Sequence, residues 1–161
     1  MPGIRTAEPG EAASLTALCV RSKAHWGYDA EFMRLSAKAL AVHEAEIAAG
    51  TVLVAFDATG HVLGVANVVA EGTTADLDAL FVDPPAIGSG AGRALFEAAA
   101  DLARRRGAER LTILADPNAA PFYEHLGARY LRHAPSDAIP GRTLPFYEYD
   151  LGPQGSPGRE Q

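Results

Sequence analysis

A glycine-rich segment, Ile87-Gly88-Ser89-Gly90-Ala91-Gly92-Arg93, carries the clearest chemical signal in the sequence. It follows a β-rich run that ends at Asp83-Pro84-Pro85 and precedes a helical pattern. Glycines let a backbone approach a ligand closely, and the start of a helix presents unpaired N–H groups and the positive end of a dipole. The segment is therefore predicted to bind an anion such as a phosphate or pyrophosphate. A flexible loop without a ligand is the alternative.

Two common phosphate-binding motifs do not fit this segment. In a dinucleotide fingerprint, Gly-x-Gly-x-x-Gly, the last glycine would fall on Arg93 or Leu95 when counted from Gly88 or Gly90. A Walker P-loop ends in Gly-Lys-Ser/Thr, and here Arg93 stands where the lysine is required. The sequence therefore predicts a phosphate ligand of another kind.

Two carboxylates, Asp76 and Asp78, lie two residues apart in the β-rich run that leads to the glycines. Residues with this spacing on a strand point to the same face of the sheet. Two close carboxylates raise the pKa of at least one of them, which improves a weak base, and together they attract an ammonium group. The alternative is a solvated polar strand face near a turn.

The apolar pattern predicts a mixed α/β layer architecture in the order β-α-α-β-β-β-α-β-α-β-β. The predicted strands are Gly3 to Thr6, Thr51 to Phe56, His61 to Ala70, Ala75 to Val82, Arg110 to Ala115, Ala128 to His133 and Thr143 to Tyr149. The first predicted helix follows Pro9, and the second runs from the N-cap Asp29 to Gly50. The third runs from Arg93 to Arg106, and a short fourth helix is capped by Asn118 and ends at Gly127.

Composition limits the classes of function. The chain has 161 residues, of which 48 % are hydrophobic, and this suits one domain, expected over 1–150 before a breaker-rich, disordered tail over 151–161. A net charge of -6 makes nucleic acid and anionic membranes poor partners. One cysteine, Cys19, excludes an internal disulfide, and the histidines show no metal-ligand spacing. Without a signal peptide or a membrane-spanning run, the expected location is cytoplasmic.

Two stretches together resemble a known family, the GNAT N-acetyltransferases. Leu80-Phe81-Val82-Asp83-Pro84, followed by Gly88-Ser89-Gly90-Ala91-Gly92-Arg93-Ala94-Leu95, resembles the family's acetyl-CoA motif, Arg/Gln-x-x-Gly-x-Gly/Ala. Asn118-Ala119-Ala120-Pro121-Phe122-Tyr123-Glu124-His125-Leu126-Gly127 resembles its second signature, which has Asn, then Phe-Tyr, then Leu-Gly. The resemblance implies a GNAT-like fold in which the strand ending at Val82 splays from the strand that follows Arg110.

One position departs from the family's pattern. Ile87 stands where the family usually has Arg or Gln, so a cationic side chain is missing there. The main phosphate contacts in the family come from backbone N–H groups, and coenzyme binding is therefore still expected. Arg93 is a candidate for the compensating charge.

By resemblance, the chain is an acyltransferase that moves the acetyl group of acetyl-CoA directly to a primary amine of a small molecule or peptide, without a metal. The residues implied to hold the coenzyme are Leu80, Phe81, Val82, Ile87, Gly88, Ser89, Gly90, Ala91, Gly92, Arg93, Asn118, Phe122 and Tyr123. Tyr123 is also the implied general acid for the leaving thiolate, since the pKa values of a thiol (~8.5) and a tyrosine (~10) lie close together. Packing on its helix is the alternative role. Asp76 and Asp78 fall in the stretch that carries the base or water relay in some family members.

The loop between the first two helices roofs the acceptor pocket in this family. The side chains expected to bind the acceptor are His25, Trp26, Tyr28, Phe32 and, from the other side, Arg142. Aromatic rings hold an apolar body or, by cation–π contact, an ammonium, whereas Trp26 could instead anchor the loop on the core. Two other functions stay open: a non-catalytic acetyl-CoA-binding sensor or regulatory module, and a binder of another phosphate ligand. A homodimer is compatible with each of them.

Overall fold

A computed structural model describes residues 2–153 and confirms the predicted mixed α/β fold. The elements are β1 (Gly3–Thr6), α1 (Ala12–Ala24), α2 (Ala30–Leu40), α3 (Glu44–Ala48), β2 (Val52–Phe56), β3 (Val62–Glu71), β4 (Thr74–Val82), a 3₁₀ turn (Pro84–Ala86), α4 (Ala91–Arg105), β5 (Arg110–Leu114), α5 (Ala120–His125), β6 (Arg129–Pro135) and β7 (Thr143–Asp150). None of the helices in this part of the chain is long and apolar enough to cross a membrane.

The strands form one seven-stranded sheet in the order β1-β2-β3-β4-β5-β7-β6. Neighbouring strands are antiparallel except β4 and β5, which are parallel. Helices α4 and α5 cover one face of the sheet, and α1, α2 and α3 cover the other. Because both faces are buried, β2 is apolar throughout: Leu53 and Ala55 face α4, while Val52 and Val54 face α1.

The second predicted helix, Asp29 to Gly50, is wrong as one helix. Asp29 does cap α2, since its carboxylate accepts the N–H of Phe32 at 2.8 Å, but α2 ends at Leu40. The next residues are extended because the N–H of Val42 donates to the hydroxyl of Thr16 in α1 at 2.8 Å. A separate helix, α3, follows the break, so an interaction with a distant helix overrides the local helical pattern.

The predicted start of the tail at residue 151 is wrong. Leu151 is buried in the core beside α4, and its N–H donates to the carbonyl of Glu109 at 2.8 Å. The prediction of disorder over 154–161 concerns residues outside those that the structure describes.

The parallel pairing of β4 and β5 is short. Only Thr74, Ala75 and Asp76 pair with β5, opposite residues 110–112. From residue 77 onward β4 pairs with β3 alone, and this confirms the splay that the resemblance implied. The two strands therefore form the walls of a wedge that is open toward their carboxyl ends.

A β-bulge at Asp78 changes which side chains of β4 face each side of the sheet. Val68 of β3 pairs with Leu77 and the preceding Asn67 pairs with Ala79, which leaves Asp78 without a partner in the ladder. Leu77 faces the α4 core before the bulge, and Val82 does so after it. The extra residue thus shifts the inside–outside alternation by one position.

Helix α4 lies close against β3 because of a glycine. A Cβ atom at Gly64 would be 2.8 Å from the carbonyl oxygen of Phe81 and 2.9 Å from Cδ1 of Leu95. Any larger residue would push α4 away from the sheet. The glycine therefore helps to fix where the start of α4 stands relative to the end of β4.

Candidate active site

A cavity of about 510 Å³ occupies the wedge between β4 and β5. Its lining comes from the splayed strands, the glycine-rich turn and three helices: Ser22, Lys23, Trp26, residues 77–82, Ala86, Ile87, Gly88, residues 90–93, residues 113–116, Asn118, Ala119, Phe122, Tyr123 and Leu144. The cavity thus collects most of the predicted coenzyme residues and several that the sequence did not indicate.

The last turn of α1 fastens both walls of the wedge. Arg21 makes two hydrogen bonds to the carboxylate of Asp83, just after β4, at 3.1 and 3.0 Å. Lys23 donates to Asp116, just after β5, at 2.6 Å, and both of these side chains are only 14 % exposed. Burial would raise the pKa of Asp116, but the hydrogen bond and charge of Lys23 and the N–H of Asn118 outweigh this and leave it lowered.

The glycine-rich turn presents free backbone donors at the rim of the cavity. Gly88 and Gly90 have φ angles of 88° and 90°, in the left-handed region that only glycine enters without strain. Within residues 2–153, the N–H groups of Gly88, Gly90, Gly92 and Arg93 have no hydrogen-bond acceptor. Together with the dipole of α4, these donors make a site for an anion.

The side chains around this turn supply little charge. Ile87 is 53 % exposed and lines the cavity as an apolar residue. Arg93 also lines the cavity, but its guanidinium donates to Glu97, one turn further along α4, at 3.1 Å. The turn therefore binds an anion mainly through its main chain.

Tyr123 is the most deeply buried polar side chain at the cavity. It is 5 % exposed, and its ring packs against Phe122 and Phe96 with centroid distances of 5.1 and 6.1 Å. No residue in the described part of the chain hydrogen-bonds to its hydroxyl. Burial raises the pKa of Tyr123 above its ordinary value, so the hydroxyl stays protonated and available as a donor.

Helix α5, which carries Tyr123, is held to the sheet by a hydrogen bond from β7. The hydroxyl of Tyr147 on β7 donates a short hydrogen bond to the carboxylate of Glu124. Burial and the bond to Glu124 raise the pKa of Tyr147 to about 12. This contact restrains the residue next to Tyr123 and so helps to fix the direction of the Tyr123 ring.

Asp76 and Asp78 differ in their position relative to the cavity. Asp78 lines it and keeps an exposed surface, whereas Asp76 lies deeper and accepts the hydroxyl of Thr112 at 2.9 Å. Partial burial raises the pKa of Asp76, and partial burial followed by the charge of Asp76 raises the pKa of Asp78. A carboxylate with a raised pKa and a protonated tyrosine that line the same cavity are suited to acid–base chemistry.

A comparison with protein families decides what kind of protein has this site. The family model described as an acetyltransferase (GNAT) domain matches residues 15–133, which include β4, the glycine-rich turn, α4 and α5. The chain belongs to the GNAT acetyltransferase family. It is accordingly an enzyme of the acyltransferase class.

Solved structures of similar fold agree with this assignment. A GCN5-related N-acetyltransferase from Rhodopseudomonas palustris is 29 % identical, with a TM-score of 0.73 over 93 % of this chain and 96 % of that one. PaiA N-acetyltransferase from Thermoplasma acidophilum, solved with coenzyme A, is 15 % identical, with a TM-score of 0.76 over 93 % and 99 %. YncA from Salmonella typhimurium, solved with acetyl-CoA, is 23 % identical, with a TM-score of 0.68 over 98 % of each chain. A search of curated protein sequences finds no match.

Within this GNAT domain, Asn118 does not cap α5 as predicted. The helix begins at Ala120, and its N-cap, Ala119, makes no side-chain hydrogen bond. The amide of Asn118 instead donates to Asp116 at 2.9 Å and to the hydroxyl of Tyr28 at 3.2 Å. The residue therefore stabilises the turn after β5 and still lines the cavity.

Of the predicted acceptor residues, Trp26 lines the cavity and is 49 % exposed. His25 packs edge-to-face against it, with a centroid distance of 5.4 Å. Tyr28 stacks on Phe32 at 3.9 Å, and Arg142 lies 4.9 Å from the Phe32 ring. The predicted acceptor residues other than Trp26, namely His25, Tyr28, Phe32 and Arg142, are thus not among the residues that line the cavity.

Tyr28 is the centre of a group that includes Phe32, Arg142 and Asp116. Its hydroxyl donates to Asp116 at 2.9 Å and accepts from Arg142 at 3.1 Å. The group therefore ties the loop after α1 to the end of β5 and to the loop between β6 and β7. Sequence reasoning missed Lys23 and Asp116 in this arrangement because only the tertiary structure brings them together.

Cys19 takes no part in the site. It is fully buried in the same cluster as Leu15 and Leu18 of α1, and burial raises the pKa of its thiol to about 12. The side chain therefore remains a thiol, and the thiolate that a covalent mechanism requires is not formed.

Proposed function

We propose that this protein transfers the acetyl group of acetyl-CoA to a primary amine of a small molecule or peptide, by direct attack. The observation that carries the proposal is one cavity whose lining includes an anion site, a protonated tyrosine and a carboxylate of raised pKa. The anion site is the glycine-rich turn, and the two side chains are Tyr123 and Asp78.

The pyrophosphate of the coenzyme binds at the glycine-rich turn. The free N–H groups of Gly88, Gly90, Gly92 and Arg93 donate to its oxygens, and the N-terminus of α4 favours its charge. The presence of coenzyme A and acetyl-CoA in the two solved structures of similar fold supports this choice of ligand. Ile87, Ser89 and the start of α4 contribute contacts around the same turn.

The acetyl-bearing arm lies in the wedge between β4 and β5. Leu80, Phe81 and Val82 line one wall, and their edge toward β5 is unpaired. Backbone groups of these residues hold the arm and stabilise the oxyanion that develops on the thioester carbonyl. Asn118 and Phe122 close the other side of the arm.

The acceptor amine must lose a proton before it attacks. At the pKa of a lysine-like amine, ~10.4, only about one molecule in 10³ is neutral at pH 7. Asp78 accepts this proton, since burial and, after it, the negative charge of Asp76 keep the pKa of Asp78 raised. Trp26 provides a wall for the acceptor, while Tyr28, Phe32, Arg142 and His25 hold the loop that carries it.

The reaction then proceeds in two bond changes. The amine nitrogen forms a bond to the carbonyl carbon, and a tetrahedral intermediate with an oxyanion results. When this intermediate collapses, the carbon–sulfur bond breaks, and Tyr123 donates its proton to the departing sulfur. The nitrogen, which is positively charged once its bond to carbon has formed, releases a second proton, and this proton passes through water to the Tyr123 phenolate. The products are the acetylated amine and free coenzyme A, and Asp78 returns its proton to bulk water.

The proposal is tested by incubating the protein with acetyl-CoA and a panel of primary amines and measuring the release of free thiol. We expect turnover with at least one amine. Tyr123→Phe should lower kcat by about 10²–10⁴ and leave the Kd of acetyl-CoA unchanged. Tyr130→Phe, at an exposed tyrosine on β6, serves as the matched control and should behave like the wild type.

Two outcomes would contradict the proposal. Tight binding of acetyl-CoA in calorimetry without transfer to any amine would favour a sensor or regulatory module. A melting temperature that rises with a nucleotide but not with coenzyme A would favour another phosphate ligand.

A further inference from the structure

A buried asparagine lies opposite the bulge that carries Asp78. Asn67 on β3 is 3 % exposed and pairs with Ala79, so Asp78 and Ala79 together oppose it across the ladder. Val65, two residues earlier on β3, packs in the core cluster beside α1, so Asn67 points to the face of the sheet that α1 and α3 cover. Asn67 does not line the cavity, whereas Asp78 does.

Two hydrogen bonds fix the orientation of the Asn67 amide. The hydroxyl of Thr51 donates to its Oδ1 at 2.8 Å, and its Nδ2 donates to the carboxylate of Glu46 at 2.8 Å. An ionised carboxylate only accepts hydrogen bonds, so the nitrogen must be the atom that faces Glu46. The nitrogen carries a second hydrogen, which neither contact uses and which is available to Asp78.

The two anchors of the amide are themselves held in place. The other carboxylate oxygen of Glu46 accepts the N–H of His43 at 3.0 Å, and the main-chain carbonyl of Glu46 accepts the N–H of Thr51 at 3.3 Å. Glu46 and Thr51 therefore bond to each other as well as to Asn67. A buried network in which each member is bonded restrains its side chains to one arrangement.

Most influences on Asp78 favour its protonated form. Burial is the largest of them and raises its pKa. Three carboxylates raise the pKa further by their charge: Asp76 on the same strand, Glu46 on α3, and Asp137 in the loop between β6 and β7. The amide of Asn67, as a hydrogen-bond donor, acts in the opposite direction and favours the carboxylate.

The cations of the described cavity lining are engaged with other carboxylates. Lys23 pairs with Asp116 at 2.6 Å, and Arg93 pairs with Glu97 at 3.1 Å. Within residues 2–153, Asp78 forms no ion pair. Its ionised form therefore depends on a neutral donor from the neighbouring strand.

We propose that Asn67 is the positioning residue of the base: its buried amide, fixed by Thr51 and Glu46, directs the Asp78 carboxylate toward the acceptor amine. A bulged residue lacks a ladder partner that would fix its direction, so a side chain opposite the bulge has to do so. Asn67 contacts neither substrate and acts only through Asp78. The inference rests on the proposed amine acetylation, in which Asp78 accepts a proton.

Asn67→Val removes the amide and fills its space with a side chain that suits a strand. We expect kcat to fall by about tenfold or more, because a catalytic group displaced by about 1 Å loses up to about 10²-fold in rate. The acidic limb of the kcat/KM profile should move to higher pH, since the donor that lowers the pKa of Asp78 is gone. A purely structural role would lower the melting temperature and leave this limb in place, which would overturn the inference.

A second variant tests the same network without removing the asparagine. Thr51→Val deletes one of the two anchors of the amide, so kcat should fall several-fold, while Thr51→Ser retains the hydroxyl and should behave like the wild type. The control is Ser36→Ala on α2, at the other buried polar side chain among the described residues. It should leave the pH profile unchanged. A wild-type kcat for Thr51→Val would contradict the inference.

A titration of Asp78 without substrates separates this inference from the proposed reaction. The NMR resonance of its carboxyl carbon, identified by its loss in Asp78→Asn, should titrate at higher pH in Asn67→Val than in the wild type. An equal midpoint in the two proteins would overturn the inference and leave the reaction standing. If the midpoint moves but no amine releases thiol from acetyl-CoA, the proposed reaction is overturned, together with the role of Asp78 as its base.

Discussion

Thr112 donates its hydroxyl to Asp76 at 2.9 Å, at the last position where β4 and β5 pair. The hydrogen bond therefore lies at the closed end of the wedge that forms the cavity. It lowers the pKa of Asp76, although burial, the larger effect, leaves that pKa raised. Asp76 in turn raises the pKa of Asp78, so Thr112 influences the candidate base through a second carboxylate.

Thr112→Val tests which carboxylate is the base. Loss of the hydroxyl should raise the pKa of Asp76. As pH falls, Asp76 should then take up a proton before Asp78 does. Neutral Asp76 no longer repels the charge of Asp78, and the pKa of Asp78 falls. The acidic limb of the kcat/KM profile should then move to lower pH, with Thr112→Ser unchanged. A shift to higher pH would assign the base to Asp76.

Asp78→Asn should stabilise the fold and damage the reaction. Folding raises the pKa of Asp78, so the ionised carboxylate destabilises the folded state at pH values above the folded pKa. Below the unfolded pKa the carboxyl is protonated in both states, and this destabilisation is absent. The melting temperature of the variant should exceed that of the wild type at pH 7, and this difference should fade toward pH 4. We expect kcat to fall by about 10²-fold or more.

The control for Asp78→Asn is Glu71→Gln, at an exposed carboxylate on the last residue of β3. It makes the same change of net charge and should alter neither kcat nor the pH dependence of the melting temperature. A lower melting temperature for Asp78→Asn at pH 7 would show that the carboxylate serves stability and not function.

Lys23→Met should destabilise the domain by about 2–3 kcal/mol, because it leaves the mostly buried carboxylate of Asp116 without its cation. The lowered pKa of Asp116 means that its ionised form stabilises the fold above the unfolded pKa, and this contribution is lost as pH falls through the folded pKa. The difference between variant and wild type, measured by urea unfolding, should therefore shrink in acid.

A second variant isolates the ion pair. Lys23→Met combined with Asp116→Asn should recover part of the lost stability, since no unpaired charge remains. The contrary result is additivity. If Asp116→Asn lowered the stability of the Lys23→Met variant by as much as it lowers that of the wild type, the two side chains would not interact.

Gly90→Ala should weaken coenzyme binding more than it weakens the fold. A φ of 90° strains an alanine by about 1–2 kcal/mol. A displaced N–H at this turn should also raise the Kd of acetyl-CoA by about tenfold, as loss of one hydrogen bond to a charged group does.

Gly60→Ala is the matched control for this glycine. Gly60 has a φ of 86° in the turn between β2 and β3, and, as at Gly90, an added Cβ meets no atom within 4 Å. Both variants should lose similar stability in urea, and only Gly90→Ala should change the Kd. An equal Kd for the two variants in calorimetry would place the pyrophosphate elsewhere.

The sequence by itself determined the elements and the chemical centre of this protein. The turn around Gly88 and Gly90 and the helix that carries Tyr123 were recognisable because local patterns specify them: glycines allow positive φ angles, and apolar spacing marks a buried helix face. The mixed α/β fold followed from the same patterns, whereas the splay of the strand that ends at Val82 was implied by the family resemblance alone.

The tertiary structure alone decided which other residues meet there. The pair Lys23 and Asp116 is separated by 93 positions, and Tyr28 and Arg142 by 114. The break after Leu40 and the bulge at Asp78 also depend on distant segments. Periodicity and capping signals act within about two turns of a helix or a few residues of a strand. They carry no information about contacts that form only when the sheet closes on its helices.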